Sequence, residues 1–478
     1  MKFMRVFKSV VLSCLLLILL ISFSACRSAG TTILDPENPV TITIWHHYTG
    51  IVLNAFESAI TEFNETVGRE QGIIAEGVSI GWGDLEVAVR AAARQEVGGS
   101  DLPNIFTSLP DVAYVAMELG LLVDLDEYFT LQQQEKYFAP FIERGRIGYD
   151  GELHIFPVVM SGEVLMINHT DWLPFAQANN LHYDDLSTRE GVTRVAQLYY
   201  QWSGGNAFFG HDAMGNLFVT GMKQFGVEIF EVNRGQVTVN IDEYVMRRIW
   251  DNYYVPFVSG YFAAQGRFRS DDLRVGDILA YVGSTVSAAF FPEDVRIDGE
   301  SRAIEAKVLP VPLFEGGSPV IVRQGPGMVV TKSSEEQQYA SLIFLRWFTE
   351  PQQNVSFSAL SGHVPIILEG MSHDLIRETA IRENIELTTV TDDALRVALN
   401  CVQDNEMYSS QVFANAVATR PILDLHLRRR AQEDREAVLE LIASGVSRED
   451  AIAQFVTEES FKDWLEDFTA ELMAAAHG

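Results

Sequence analysis

Cysteine is almost absent from this chain of 478 residues, which has three: Cys14, Cys26 and Cys401. So few thiols give no disulfide framework, and a body long enough for two domains must be held together by its core. Positive charge is scarce as well: 35 Lys and Arg stand against 65 Asp and Glu, a formal net charge of −30. Such a surface repels nucleic acid and anionic lipid, and no basic stripe with interleaved aromatics argues otherwise. An internal repeat, a low-complexity segment and the phrases of common enzymes are also missing: G-x-S-x-G, H-E-x-x-H, the P-loop and G-x-G-x-x-G. DLDEYF, residues 124–129, begins like a calcium loop but carries Phe129 where the sixth position needs glycine. Nor does any apolar run reach the ~20 residues of a membrane span.

The longest such run, VVLSCLLLILLI over residues 10–21, follows Lys2, Arg5 and Lys8 with no acidic residue before it. A positive leader, a short apolar stretch and small residues ahead of a cut point are the anatomy of an export signal. Ser24-Ala25-Cys26 closes it. This ending resembles the bacterial lipobox, whose cysteine receives a diacylglyceryl group and becomes the new N-terminus. The alternative is an ordinary secretory signal with an incidental cysteine. On the lipobox reading residues 1–25 are the signal peptide, Cys26 is the lipidation site, and residues 26–39 form a polar, Pro-containing tether. Two or three lipid chains anchor stably, at ~0.8 kcal/mol per buried methylene. Cys401 is then the one thiol left, expected as a small buried hydrophobe.

Farther along, VTITIW (residues 40–45) alternates apolar and polar, the period of a half-buried strand. Leu53, Phe56, Ile60, Phe63 and Val67 recur at spacings of three and four, one stripe of a helix. GIIAEGVSI predicts a second strand, residues 85–97 a second helix, NIFTSL a third strand, and residues 111–119 a helix ending at Gly120. Strand alternating with helix implies an α/β fold whose parallel sheet is covered on both faces. Ser334 and Gln337 open a later helix with Ala340, Ile343, Phe344, Trp347 and Phe348 on one face, until Pro351.

Several phrases point one way together: TITIWHHYTG, DLPNIFTSLPDVAYVAMELGLLVDLDEYF, DGELHIFPVVMSGEVLMINHTDW, VGDILAYVGSTVSA, KVLPVPLFEGG with RQGPGMVVTKSSEEQQ, and LELIASGVSREDAIAQF. In this order, over nearly all of the mature chain, they resemble the bacterial extracellular solute-binding proteins of the sugar type. The resemblance implies the two-lobed periplasmic-binding-protein type II fold, an α/β architecture with a ligand cleft between lobes joined by hinge strands. Lobe 1 would take residues 40–159 plus 308–348, lobe 2 residues 160–307 plus 349–478, with hinges near residues 159–161, 308–310 and 349–351. It implies a lipid-anchored component of an ABC importer on the extracytoplasmic face of the cell membrane. Its partners would be a small solute, expected as a neutral oligosaccharide, and the permease subunits. No cofactor, metal or nucleic acid is implied, and the expected state is a monomer. The alternatives are a surface-anchored carbohydrate-active enzyme and a sensory or adhesive protein of the same fold.

Ligands of open α/β sheets sit beyond the carboxyl ends of the strands. The resemblance therefore carries His47 and Tyr48, after the first strand, as contacts. Alternation sets Trp45 and His47 against His46, and such diverging histidines argue against a metal site. Ser108 and Asp111 follow the third strand, where the family often hydrogen-bonds sugar hydroxyls; for Asp111 a helix N-cap is the equal alternative. Glu163, just past the first crossing, matches a contact position, or is a solvated charge. Trp82 and Trp202 sit among glycines and read as loop aromatics, for stacking on a sugar or for core packing. Gly283, Ser284 and Gly325 would let the chain approach a ligand closely, although plain turns explain the glycines equally well. One outcome follows for the anchor. Cys26→Ala is expected to leave the folded body intact and move it from the membrane fraction to the soluble one; retention of the variant on membranes in high salt would contradict the lipobox reading.

Overall fold

The computed structural model describes residues 33–297 and 299–478, and of Trp82 the backbone alone. Cys26 and the leader lie outside the described residues. The alternation in VTITIW becomes the strand Val40–His46, with Ile42, Ile44 and His46 buried on one side. Ile73–Ser79 and Ile105–Ser108 flank it in parallel. Gly327–Val330 runs antiparallel to Ile105–Ser108, and Ile155–Pro157 antiparallel to Gly327–Val330, completing five strands. Helix Gly50–Phe63 lays Val52, Phe56, Ile60 and Phe63 over one face of this sheet. Leu85 and Val89 of helix Trp82–Ala93 cover the other, with Val112 and Ala113 of helix Pro110–Glu118. Both faces are thereby shielded, as a parallel sheet requires.

A second sheet has the order Ala306–Pro310, Glu163–Asn168, Ala280–Ser284, Phe209–His211. Glu163–Asn168 runs antiparallel to both of its neighbours, and the last strand pairs in parallel. Every residue of Glu163–Asn168 is buried. Around this sheet lies a large aromatic core that includes Trp172, Phe218, Trp250, Trp464 and Phe468. Helices Ala416–Ala443 and Glu458–His477 close it with Leu423, Leu427, Phe461 and Leu472.

Helix Pro351–Ser361 goes elsewhere. Its Phe357, with Ile366 and Ile367 just beyond, packs among Phe56 and Phe348 in the first core. Residues 349–478 are therefore not all in the second lobe, as the sequence led us to expect; the apolar face of 355–367 fills the space beside helix Gly50–Phe63. The N-terminal boundary differs as well. Leu34 is buried in the first core, and the Asp35 carboxylate accepts from the Glu37 N–H at 3.0 Å and the Asn38 amide at 2.8 Å. The folded body thus includes residues of the stretch expected as tether. Cys401 is free and buried.

Between the sheets two crossing segments pair at Ser161 and Gln324, and Met160 pairs with Val364 of the first body. Asn354, with no exposed surface, staples the first crossing. Its Nδ2 donates to the Val158 carbonyl at 2.6 Å and its Oδ1 accepts from the Ile366 N–H at 2.9 Å. Asn354→Ala leaves two buried backbone groups unpaired, at ~1–3 kcal/mol each. At about 2–4 °C per kcal/mol for a chain of this size, thermal denaturation of the variant is expected about 4 °C or more below wild type. An unchanged midpoint would contradict the staple.

Candidate functional site

A cavity of about 530 Å3 takes its walls from both sheets and from the crossing segments. His47 and Tyr48 reach it from the end of the first strand, Asp111 from beyond the third, and Ser284 from the end of Ala280–Ser284. Asn216 enters from helix Met214–Gln224, which follows the strand Phe209–His211. These are the carboxyl ends of strands, where open α/β sheets hold ligands. Arg323, Gln324 and Gly325 come from a crossing segment, and Arg420 and Asp424 from helix Ala416–Ala443.

Tyr48 is buried with its ring centroid 5.1 Å from Phe56 and 5.7 Å from Phe357. Its hydroxyl has no hydrogen-bond partner among the described residues, and burial raises its pKa, keeping it neutral. His46 points into the core, 4.8 Å from the Phe56 ring, whereas His47 lines the cavity with Nδ1 2.9 Å from the Thr107 hydroxyl. Burial lowers His46 and His363 to about 4, and burial with the charges of those two lowers His47 to about 3. All three imidazoles are therefore neutral at pH 7. Among the described residues no three His, Cys, Asp or Glu side chains are grouped to hold a metal ion.

Asp111 is buried, with Oδ2 2.6 Å from Arg420 Nε; Arg420 Nη2 lies 2.9 Å from Glu86 Oε1. An ion pair thus joins the first sheet's helices to the long helix of the second. Asp111 is not the N-cap of its helix, a position held by Leu109. Glu163 is neither solvated nor on the cavity wall: it is buried, and accepts from Asn216 Nδ2 at 2.8 Å. It stands behind Asn216 and fixes it. Ser108 is buried and donates to the Leu109 carbonyl at 2.7 Å, off the wall. At Gly283 a Cβ would come 2.7 Å from Ser287 Oγ, so that glycine serves packing inside the strand and does not line the cavity. Gly325 does line it; φ is +107°, and a Cβ there would meet Met160 Cα at 3.2 Å. Trp202 belongs to the last turn of helix Arg189–Ser203, 5.5 Å from the Phe175 ring, and does not line the cavity. Trp82 opens a helix where a loop was expected, and its side chain lies outside the described residues.

The fold therefore brings His47, Tyr48, Asp111, Ser284 and Gly325 to one cavity and leaves Ser108, Glu163, Trp202 and Gly283 off its wall. Sequence reasoning missed Arg144, Arg323, Gln324, His363 and Arg420, which also line it. Arg323 and Gln324 directly precede the glycines of RQGPG, the one local signal that pointed to them.

Two α/β lobes joined by crossing strands, with a cavity between them, define a two-lobed solute-binding fold. It is similar to the cyclic α-maltosyl-1,6-maltose binding protein of Arthrobacter globiformis (TM-score 0.64, 17% identity, 92% of this chain and 99% of that one). Similar too are an ABC transporter solute-binding protein of Agrobacterium radiobacter K84 in complex with ribitol (0.60, 15%, 88% and 98%) and UgpB of Mycobacterium tuberculosis in complex with glycerophosphocholine (0.61, 16%, 91% and 99%). A family model described as bacterial extracellular solute-binding protein matches residues 58–379, and the chain belongs to that family. No curated protein matches the sequence. The family and these neighbours are binding proteins. Among the described residues no helix is long and apolar enough to cross a membrane.

Glu163 gives the site a pH signature. Burial raises its carboxyl from 4.5 to about 7, against the opposing bond from Asn216. The folded state keeps a proton that the unfolded state releases, so stability is full below about pH 4.5 and falls as pH rises through 7. Each pH step across that window costs ~1.4 kcal/mol, and the loss approaches about 3 kcal/mol. Glu163→Gln keeps an acceptor for Asn216 and removes the titration. Its melting temperature is expected to match wild type at pH 5 and exceed it at pH 8; parallel curves would contradict the buried acid.

Proposed function

We propose that the protein is the lipid-anchored receptor of an ABC importer, held through Cys26 at the extracytoplasmic face of the cell membrane. It captures a small hydroxyl-rich solute, a sugar, oligosaccharide or polyol, by closure of its lobes and hands it to permease subunits. It works as a monomer without a cofactor. The observation that carries this reading is where the cavity lies. Its wall is drawn from both sheets and from the segments that cross between them, so a change in the angle between lobes opens or shuts it. The solutes in the names of the similar structures, among them ribitol and glycerophosphocholine, are small and carry hydroxyls.

Tyr48 and Gln324 line the cavity, and the Tyr48 hydroxyl and Gln324 Oε1 lack partners among the described residues. A solute hydroxyl satisfies both, and the Tyr48 ring offers an apolar face. His47, Asp111, Ser284 and Gly325 complete the contacts. Catalysis is not favoured by the carboxylates present: Asp111 is held by Arg420, and Asp424 accepts from the Gly215 N–H at 2.7 Å. A glycosidase needs an acid and a base free to act across the bond.

A solute bound only by the folded state raises the melting temperature, by ~2.7 kcal/mol at a hundredfold excess over Kd. Screening sugars, polyols and sugar phosphates is expected to give a shift with one narrow group, each hit recovered chemically unchanged. Tyr48→Phe is expected to melt like wild type without solute and to bind it ~1–3 kcal/mol more weakly. Recovery of cleaved solute, or normal binding by the variant, would contradict this reading.

A further inference from the structure

Two of the cavity's cations are left over once its ion pairs are drawn. Arg144 ends helix Ala139–Arg144, and Arg323 lies on the crossing segment; both line the cavity. Each reaches across to the other's segment: Arg144 Nη1 donates to the Gly325 carbonyl, and Arg323 Nη1 to the Pro140 carbonyl. Arg323 Nη2 also donates to Ser409 Oγ at 2.9 Å. These bonds use a minority of the five donors on each guanidinium. The Nε atoms of both are buried without a partner among the described residues.

Neither arginine has a carboxylate within ion-pair distance among the described residues. The acids that face the cavity are spoken for: Asp111 by Arg420, Asp424 by the Gly215 N–H. Glu143, beside Arg144 in sequence, is largely exposed and lies 3.5 Å from Arg146 Nε. Burial, with the charge of Arg323 added and that of Asp111 opposing, lowers Arg144 to about 9, and burial, with Glu143 opposing, lowers Arg323 to about 10. Both stay charged at neutral pH. Two desolvated cations side by side are costly unless an anion offsets them. They stand out further in a chain of net charge −30. A second cavity of about 350 Å3 shares Arg144, Arg323, Ser409 and Gln411 with the first, so the pair stands where the two meet.

On the receptor reading above, we propose that the solute carries an acidic group, a phosphate ester or a carboxylate, which seats on Arg144 and Arg323 while its hydroxyl-bearing body fills the larger cavity. The planar fork of a guanidinium matches either anion with paired N–H bonds. This replaces the neutral oligosaccharide expected from the sequence with an acidic, hydroxyl-rich solute.

The test is calorimetric titration of the full-length protein in neutral detergent. Glycerol 3-phosphate, glycerophosphocholine and glucose 6-phosphate represent esters, digalacturonate represents carboxylates, and maltotriose and ribitol are the neutral counterparts. At least one acidic probe is expected to bind, with Kd rising as salt is raised. Binding by esters alone or by digalacturonate alone identifies which acid is recognised. Arg144→Gln and Arg323→Gln are each expected to weaken that binding about ten- to a hundredfold. Should either variant fail to fold, the salt dependence of the wild type decides. Binding of a neutral probe with none of the acidic ones would overturn the proposal and leave the receptor reading standing. So would acidic binding indifferent to salt and to both substitutions. No binding by any probe would overturn both.

Discussion

Met160 exchanges backbone hydrogen bonds with Val364 at 3.0 and 2.6 Å, and Ser161 exchanges them with Gln324 at 3.2 and 3.1 Å. Two segments that cross between the sheets are thus tied to each other, and one of them to Val364 of the first body, while Asn354 fixes the peptide just before them. Everything at the cleft depends on this knot. It sets where the strand Glu163–Asn168 starts in the second sheet, and where Gly325 lets the return segment close on Met160. The two cores beside it are distinct clusters, bridged by helix Thr389–Asp404, which sends Val397 and Cys401 to one and Val402 to the other. Hinge motion concentrates at a few loop or element-terminal residues, the positions that Met160 and Ser161 occupy between strands Ile155–Pro157 and Glu163–Asn168.

Charge is distributed with the same economy. The chain as a whole is strongly acidic, yet the cavity gathers Arg144, Arg323 and Arg420 against Asp111 and Asp424. Arg420 bridges Glu86 and Asp111 from the opposite lobe, so one cation acts between bodies while the other two face the cavity. The neutral imidazoles of His47 and His363 and the Tyr48 ring provide part of the wall on the first lobe's side. A solute held there meets apolar rings on one side and fixed cations on another, which orients it.

Local patterns in the sequence carry the elements that depend on local periodicity. VTITIW and the stripe through Phe56, Ile60 and Phe63 form a strand and the helix over it because both signals lie within a few residues. The departures share a cause: a side chain's surroundings come from distant segments. Glu163 reads as a ligand contact or a solvated charge, but its strand is internal in the second sheet and all of it is buried. Trp202 reads as a loop aromatic because Gly204 and Gly205 follow, yet Gly204, at φ +78°, is the cap of a helix that still includes the tryptophan. Asp111 is legible from its place after the third strand, but its partner Arg420 sits near the far end of the chain, with no pattern linking the two. The helix Pro351–Ser361 carries a weak apolar signal of its own, and only packing against Phe56 and Phe348 decides its lobe.

The central claim is that the two lobes shut on a solute. Small-angle X-ray scattering tests it most directly, with the radius of gyration measured without solute and at saturation. A lobe closure around the knot at Met160 and Ser161 predicts a smaller radius when the solute is bound, at unchanged mass. An identical scattering curve at saturation would contradict the account.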